Sequence, residues 1–350
     1  MGRQAMERQT QRQGIICAGN WIVDIVHEID QWPNKSELAL IAREDRGIGG
    51  GAANVSSALA RMQVGFPLLP FGAIGNDDLG DFVVESCQAL NLPTDRLIRR
   101  ADKPTAHTHV MSVPGDSRTF FYQGGANDSL SEADFSAGFF AGSDAKIFYL
   151  GYLMLLEQLD GMEGDTTGAA HILARARAAG LVTAVDLVSA SRDDFSCIVR
   201  HAAPHIDYLI MNEVEACRAG DQPLEAGEVP SDATLLAAAD KVMAVGIHRA
   251  IIIHCPKKAV WIGRDAEPIF LRPKPLSPDQ ILSPVGAGDA FCAGLLYGIH
   301  QGFAPTRTLA LAHVTAVSSM KGMTATESIP PLHSLLAELA SNSAEDFSLV

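Results

Sequence analysis

Short apolar runs alternate along this chain with stretches in which apolar residues recur at helical spacing. IICAG (15–19), LLPFGAIG (68–75), AKIFYLGYL (145–153), LVTAVDL (181–187), HIDYLIMN (205–212) and RAIIIHC (249–255) are mainly apolar runs of strand length. Such runs predict strands buried on both faces. Between them, AANVSSALARM (52–62) places Val55, Leu59 and Met62 at i, i+4 and i+7, one face of a helix. LGDFVVESCQAL (79–90), TGAAHILARARAAG (167–180), NEVEACRAG (212–220), ATLLAAADKVMAVG (233–246), GDAFCAGLLYGIHQG (288–302) and TRTLALAHVTAVSSMKG (306–322) also read as helices. A further terminal helix is expected after Leu332. Strand-helix alternation of this kind predicts an α/β fold, doubly wound around a mostly parallel sheet.

Two segments break the rhythm. Residues 22–48 are mixed and polar, with imperfect alternation in NWIVDIVHEIDQW. PTAHTHVMSVPGDSRTFFYQGG (104–125) is rich in Thr, Val and aromatics around a PGD turn, which is a hairpin signal. Together they predict a small, separate antiparallel sheet. His107 and His109 fall on one face of that hairpin; a metal pair or two surface histidines on a strand both fit them.

Length and composition agree with a single globular unit. The chain has 350 residues, 47% of them apolar and 19% charged, enough for one large α/β domain over 15–350. The opening MGRQAMERQTQRQG reads as a disordered polar tail (1–14) without the apolar region of a signal peptide. The longest apolar run, IFYLGYLMLL (147–156), is too short to span a bilayer, so no membrane partner is expected. Six scattered cysteines without a CxxC pair point to a cytoplasmic location and no structural zinc. A net charge of −14 argues against a nucleic-acid partner and favours a small substrate.

Ligands of open α/β sheets bind at the carboxyl ends of the strands. Asp186 ends LVTAVD, Asn212 ends YLIMN with Glu215 three residues on, His254 ends AIIIH, and Asp24 lies just beyond the first strand. Asn and Asp are also favoured helix caps, so each alone is ambiguous; as a group, beside two glycine-rich turns, they suggest a site. In SPVGAGDAF (283–291), Gly286, Ala287 and Gly288 form a turn at a helix N-terminus, which offers unpaired N–H groups and partial positive charge to a phosphate. Asp289 follows directly. It can take a proton from a hydroxyl while the turn holds a phosphoryl group, or it can simply complement the helix dipole. GIGGGAANVSSAL repeats the arrangement, with Asn54 on the first helical turn. No Rossmann fingerprint is correctly placed and no Walker sequence occurs, so dehydrogenase and P-loop chemistry fit poorly.

Taken together, GGGAANVSSALARMQVG, GAIGNDDLG, the N-x-x-E pair Asn212/Glu215, VGAGDAFCAGLLYG and AHVTAVSSMKG make the chain resemble the ribokinase-like (PfkB) carbohydrate kinase family from about residue 15 to 332. The resemblance implies a β-sheet lid built from 22–48 and 104–125, and an ATP- and Mg²⁺-dependent kinase acting on a hydroxymethyl group of a sugar or sugar acid. It implies that Asp289 is the base and Gly286, Ala287 and Gly288 the anion hole. Asp24, Gly50, Gly51 and Asn54 become sugar contacts, Asn212 and Glu215 organise Mg²⁺ through water, and Asp186 and His254 stand on the nucleotide side. A homodimer formed through the lid sheet is also expected. A nucleoside kinase of the same fold and a catalytically weak sugar sensor are the alternatives.

The sequence departs from the family pattern in three places. Ser283-Pro284 replaces the usual Asp-Thr, removing the acid that holds a monovalent cation in ribokinase-like members and leaving potassium activation open. DLVSASR places Val188 where Asn is usual. HCPKKA (254–259) lacks the usual glycines of the nucleotide loop, and Lys257 and Lys258 there are either phosphate contacts or solvated turn residues.

Overall fold

The computed structural model describes residues 12–114, 118–224, 229–273, 276–277, 280–341 and 347–349. The strands are β1 (Gly14–Gly19), β2 (Ile22–Ile29), β3 (Ile41–Gly49), β4 (Leu68–Gly75), β5 (Leu97–Arg100), β6 (His107–Ser112), β7 (Thr119–Gln123), β8 (Ala145–Leu153), β9 (Val182–Leu187), β10 (Tyr208–Asn212), β11 (Ala250–Cys255), β12 (Lys258–Gly263), β13 (Ile269–Pro273) and β14 (Phe347–Leu349). The principal helices are α1 (Gly51–Met62), α2 (Asp78–Ala89), α3 (Gly168–Ala178), α4 (Phe195–Ala202), α5 (Glu213–Ala219), α6 (Asp232–Val245), α7 (Ala287–Gln301), α8 (Pro305–Ser319) and α9 (Leu332–Ser341).

The main sheet has ten strands in the spatial order β14-β13-β12-β11-β10-β9-β8-β1-β4-β5. Pairing is parallel from β5 to β11 and antiparallel from β11 to β14. The central parallel strands are mainly apolar because both faces are covered, whereas the edge strand β5 carries Arg99 and Arg100. Within β1, Ile15 and Cys17 pack on the layer that includes α1, α7 and α8, while Ile16 and Ala18 pack on the layer that includes α3, α4 and α6. Ile252 and its neighbours Ile251 and Ile253 divide in the same way along β11.

The two irregular segments form a second sheet in the order β3-β2-β6-β7. Its outer pairs are antiparallel, as the hairpin signal suggests, whereas the central β2/β6 pair is parallel. Parallel pairing follows because β2 and β6 belong to separate excursions, not to one hairpin. The other boundary differences are small. Gly14, expected in the polar tail, is the buried first residue of β1, and residues 1–11 of that tail lie outside the described residues. Gly115 and Asp116 of the PGD turn also lie outside them. Asp24 is the third residue of β2 and so belongs to the small sheet. Among the described residues, no helix is long and apolar enough to cross a membrane.

Candidate active site

The N-termini of α1 and α7 meet at the carboxyl edge of the parallel strands. α7 starts because Gly286 adopts φ 78° and so turns the chain into the helix; a side chain there would sit in the left-handed region and come within 2.3 Å of the Ala325 Cβ. The turn is partly self-closed, since the Ala287 amide donates to the Pro284 carbonyl at 3.3 Å. Asp289 therefore lies in the first turn of α7, where helix amides have no intrahelical acceptor.

Asp289 is buried. Its Oδ2 accepts from the Asn54 amide Nδ2 at 2.8 Å and from the Tyr152 hydroxyl at 2.9 Å, while its Oδ1 is buried with no hydrogen-bond partner among the described residues. Burial pushes its pKa up to about 7, and the two donors oppose that rise. A carboxylate tuned close to neutrality suits general-base work at physiological pH. The Oδ1 of Asn54 is likewise buried and unpartnered.

A cavity of about 230 Å³ brings Asp289, Gly286, Gly288, Asp186, Asn212, Glu215 and His254 together, along with Tyr152 and Ser189. Asp186 is the penultimate residue of β9, and burial together with Glu215 and Asp289 holds it well above the usual carboxylate range. Its Oδ2 accepts from the Tyr149 hydroxyl at 3.4 Å. Asn212 and Glu215 form a capping box at the start of α5. Asn212 Oδ1 accepts from the Glu215 amide at 2.8 Å and Glu215 Oε2 from the Asn212 amide at 2.8 Å. Ser189 adds a hydroxyl donor to Glu215 Oε1 at 2.8 Å. The capping role that strand-end Asn residues often play is thus present, alongside a carboxylate that burial raises to about 7.

His254 forms the wall between this cavity and a second one of about 580 Å³, which Ala287, Gly288, Phe291, His313 and Lys257 also line. Its ring packs against Phe291 at 5.3 Å, and burial lowers its basicity to about 4, so it is neutral at physiological pH. A side chain at Gly288 would come within 3.3 Å of that ring. Lys257 and Lys258 both line the second cavity, and Lys258 is tied to Asp232 at 2.5 Å.

On the opposite side, Asp24 reaches from β2 toward the glycine turn. Burial raises it to about 6, and the Thr108 hydroxyl from the neighbouring strand opposes the shift. A Cβ on Gly49 would overlap the Asp24 carboxylate, 2.2 Å from its Oδ2. Gly50 adopts φ 93° beneath the Asn20 carbonyl, and the Tyr152 ring occupies the space that a side chain on Gly51 would need. The small sheet thus brings Asp24 to the same edge. His109 of that sheet lies 3.0 Å from His27, ring nitrogen to ring nitrogen.

The family model of the pfkB family carbohydrate kinases matches residues 13–331. The chain belongs to this family. The 1-phosphofructokinase of Haemophilus influenzae is 40% identical over 85 residues, 24% of this chain and 26% of that protein. The ribokinase of Staphylococcus aureus is 25% identical over 121 residues, 34% of this chain and 39% of that protein. These two alignments thus span well under half of the relatives' lengths. The ribokinase of Arabidopsis thaliana superposes with a TM-score of 0.78 at 22% identity, covering 95% of this chain and 99% of that one. The mixed α/β architecture with a separate small sheet is therefore that of the ribokinases.

Asp289, the glycine turns and the strand-end polar residues of this pfkB family member lie at one edge, as the sequence suggests. Sequence reasoning did not find Tyr152 as a partner of Asp289, because the residue sits inside the apolar run IFYLGYLMLL and reads there as lining. Ser189 was also missed; its place two residues past the end of β9 was the available signal. Arg192, the other end of DLVSASR, makes two 2.8 Å bonds to Asp194 and one of 3.2 Å to Asp160 and so holds a loop.

Proposed function

We propose that the protein transfers the γ-phosphoryl group of ATP to a hydroxymethyl group of a sugar or sugar acid, with Asp289 as the general base. The observation that carries this reading is Asp289 Oδ1: a buried carboxylate oxygen with no partner, on the first turn of a helix whose N-terminus can hold an anion. The similar Arabidopsis thaliana ribokinase was solved with ribose and ATP, which agrees with a sugar and a nucleotide as the two ligands.

In this reading the acceptor lies between Asp24 and Asp289. The unpartnered Oδ1 of Asn54 and the Asp24 carboxylate accept from its hydroxyl groups. Asp289 Oδ1 takes the proton of the reacting hydroxyl. The Gly286-Ala287-Gly288 turn holds the transferring group on backbone amides, Ala287 exchanging its 3.3 Å bond to Pro284 for the phosphoryl oxygen. The small sheet acts as a lid that excludes water, which otherwise competes as acceptor.

The residues present fit a hard divalent cation. Asp186, Glu215 and Asp289 put three buried carboxyl groups on one cavity, each raised by burial. Glu215 and Asn212 would hold Mg²⁺ through water, with Asp186 facing them. When bound, Mg²⁺ neutralises charge on the nucleotide phosphates. At position 283 a buried serine, whose hydroxyl accepts from the Val285 amide at 3.3 Å, supplies no carboxylate for a monovalent cation. Activity is therefore expected without added potassium.

The test is a coupled ADP-release assay with pentoses, hexoses, ketodeoxy sugar acids and nucleosides, each with ATP and Mg²⁺. Turnover with a sugar or sugar acid, lost in Asp289→Asn, is the expected result. Turnover confined to nucleosides, or none with any acceptor, overturns the reading.

A further inference from the structure

Tyr152 touches the carboxylate assigned as base, and the chain is bent unusually to put it there. The residue follows Gly151 near the end of β8 with φ 57°, and Met154, two residues on, has φ 93°. Neither is glycine, so both occupy a region that costs of order 1–3 kcal/mol each and persists only where the surroundings hold it. They are held. The buried Asp160 accepts from the Met154 amide at 3.1 Å and from the Leu156 amide at 2.9 Å. Arg192 donates to the Met154 carbonyl at 3.3 Å and to Asp160 at 3.2 Å. The result is a tyrosine ring laid against Gly51 at the start of α1, with its hydroxyl 2.9 Å from Asp289 Oδ2.

Asn54 donates to that same oxygen at 2.8 Å. Two donors thus occupy Oδ2, while Oδ1 has none. We propose that Tyr152 is a positioning residue which, together with Asn54, commits Asp289 to accept the proton through Oδ1 alone. The proposal rests on Asp289 being the base. In the step, the acceptor O–H bond breaks and its proton passes to Oδ1. The electron pair left on the acceptor oxygen forms the new O–P bond, and the bond from the γ-phosphorus to its bridging oxygen breaks, leaving that pair on ADP. Tyr152 keeps its own proton throughout; burial and the nearby Asp289 hold its pKa well above the ordinary tyrosine value. The other ionisable groups facing Asp289 are Asp24 from β2, Asp186 from β9, Tyr149 from β8 and Cys292 from α7 itself.

The experiment uses the full chain with its best acceptor and measures kcat and KM from pH 5.5 to 9. Tyr152→Phe keeps the ring and removes one donor to the ionised form. Its acid limb should move up by about one pH unit, with kcat at pH 7 down about fivefold and the acceptor KM within about twofold. Replacing Tyr152 by 3-fluorotyrosine strengthens the donor and should move the limb the other way. A wild-type kcat and an unmoved limb in Tyr152→Phe, with Asp289→Asn inactive, would overturn the proposal while sparing the base. Near-normal turnover in Asp289→Asn would remove both. If the Phe protein does not fold, the fluorotyrosine protein decides: an unshifted limb refutes the proposal.

Discussion

Asp289→Asn should abolish turnover and make the protein more stable. The carboxyl is raised from 3.8 to about 7, chiefly by burial. A group whose folded value lies above its unfolded one destabilises the fold in its charged form. Its favourable contribution is complete below about pH 4 and is lost as the pH rises to about 7. Asparagine mimics the neutral acid, and its carbonyl oxygen can still accept from Asn54 and Tyr152. At about 1.36 kcal/mol per pH unit, a gap of about three units makes the variant more stable by about 4 kcal/mol at pH 8 and by less than half of that at pH 5. For a chain of this size that is roughly 5 °C in melting temperature at pH 8. The assay is thermal and urea denaturation of both proteins, without nucleotide or divalent cation, at pH 5, 6, 7 and 8. A variant no more stable than the parent at pH 8, or a gap that is the same at pH 5 and pH 8, would refute the argument that Asp289 is held charged against its desolvation. A gain in stability coupled to loss of function is the trade expected of a strained active-site group.

The same acidity sets the rate: kcat of the parent should fall about tenfold per pH unit below about pH 7, and a flat profile down to pH 5.5 would contradict it. Gly49→Ala displaces the Asp24 carboxylate, which lies 2.2 Å from the new Cβ. The acceptor KM should rise at least about tenfold while the ATP KM holds, and steady-state kinetics with each substrate varied in turn would show it. Glu215→Gln keeps the α5 cap but not the charge; the Mg²⁺ concentration giving half-maximal rate should rise several-fold, read by titrating Mg²⁺ at fixed ATP. Phe120 and Phe121 on the lid strand β7 are 57% and 58% exposed. A dimer formed through the lid sheet should be lost when both are changed to Ser, as checked by light scattering; a monomeric parent rejects that interface.

The parallel sheet was legible because strands covered on both faces must be apolar, and Ile251, Ile252 and Ile253 admit little else. The site was legible where a polar residue ends such a run, as Asp186, Asn212 and His254 do. It was not legible where a contact depends on backbone conformation. Nothing in YLGYLMLL announces that Tyr152 and Met154 take left-handed angles, or that Asp160 closes the loop to hold them. The parallel pairing of β2 with β6 escaped notice for a related reason: register between two distant excursions is set by tertiary packing and leaves no local pattern. Lys258 shows the converse. In the sequence it is one of two equal lysines in a turn, and only the fold reveals that Asp232 holds it.

The Asn54–Asp289 hydrogen bond joins residues 235 positions apart, between helices that start at Gly51 and Ala287. Chains are made from the amino end and domains fold as they emerge. β1 to β11 and the small sheet are complete by Cys255, more than thirty residues before Asp289. In the proposed function, a nascent chain thus acquires the acceptor-binding edge first and the proton acceptor and phosphate-holding turn last. Synthesis order alone would then keep an unfinished chain from spending nucleotide.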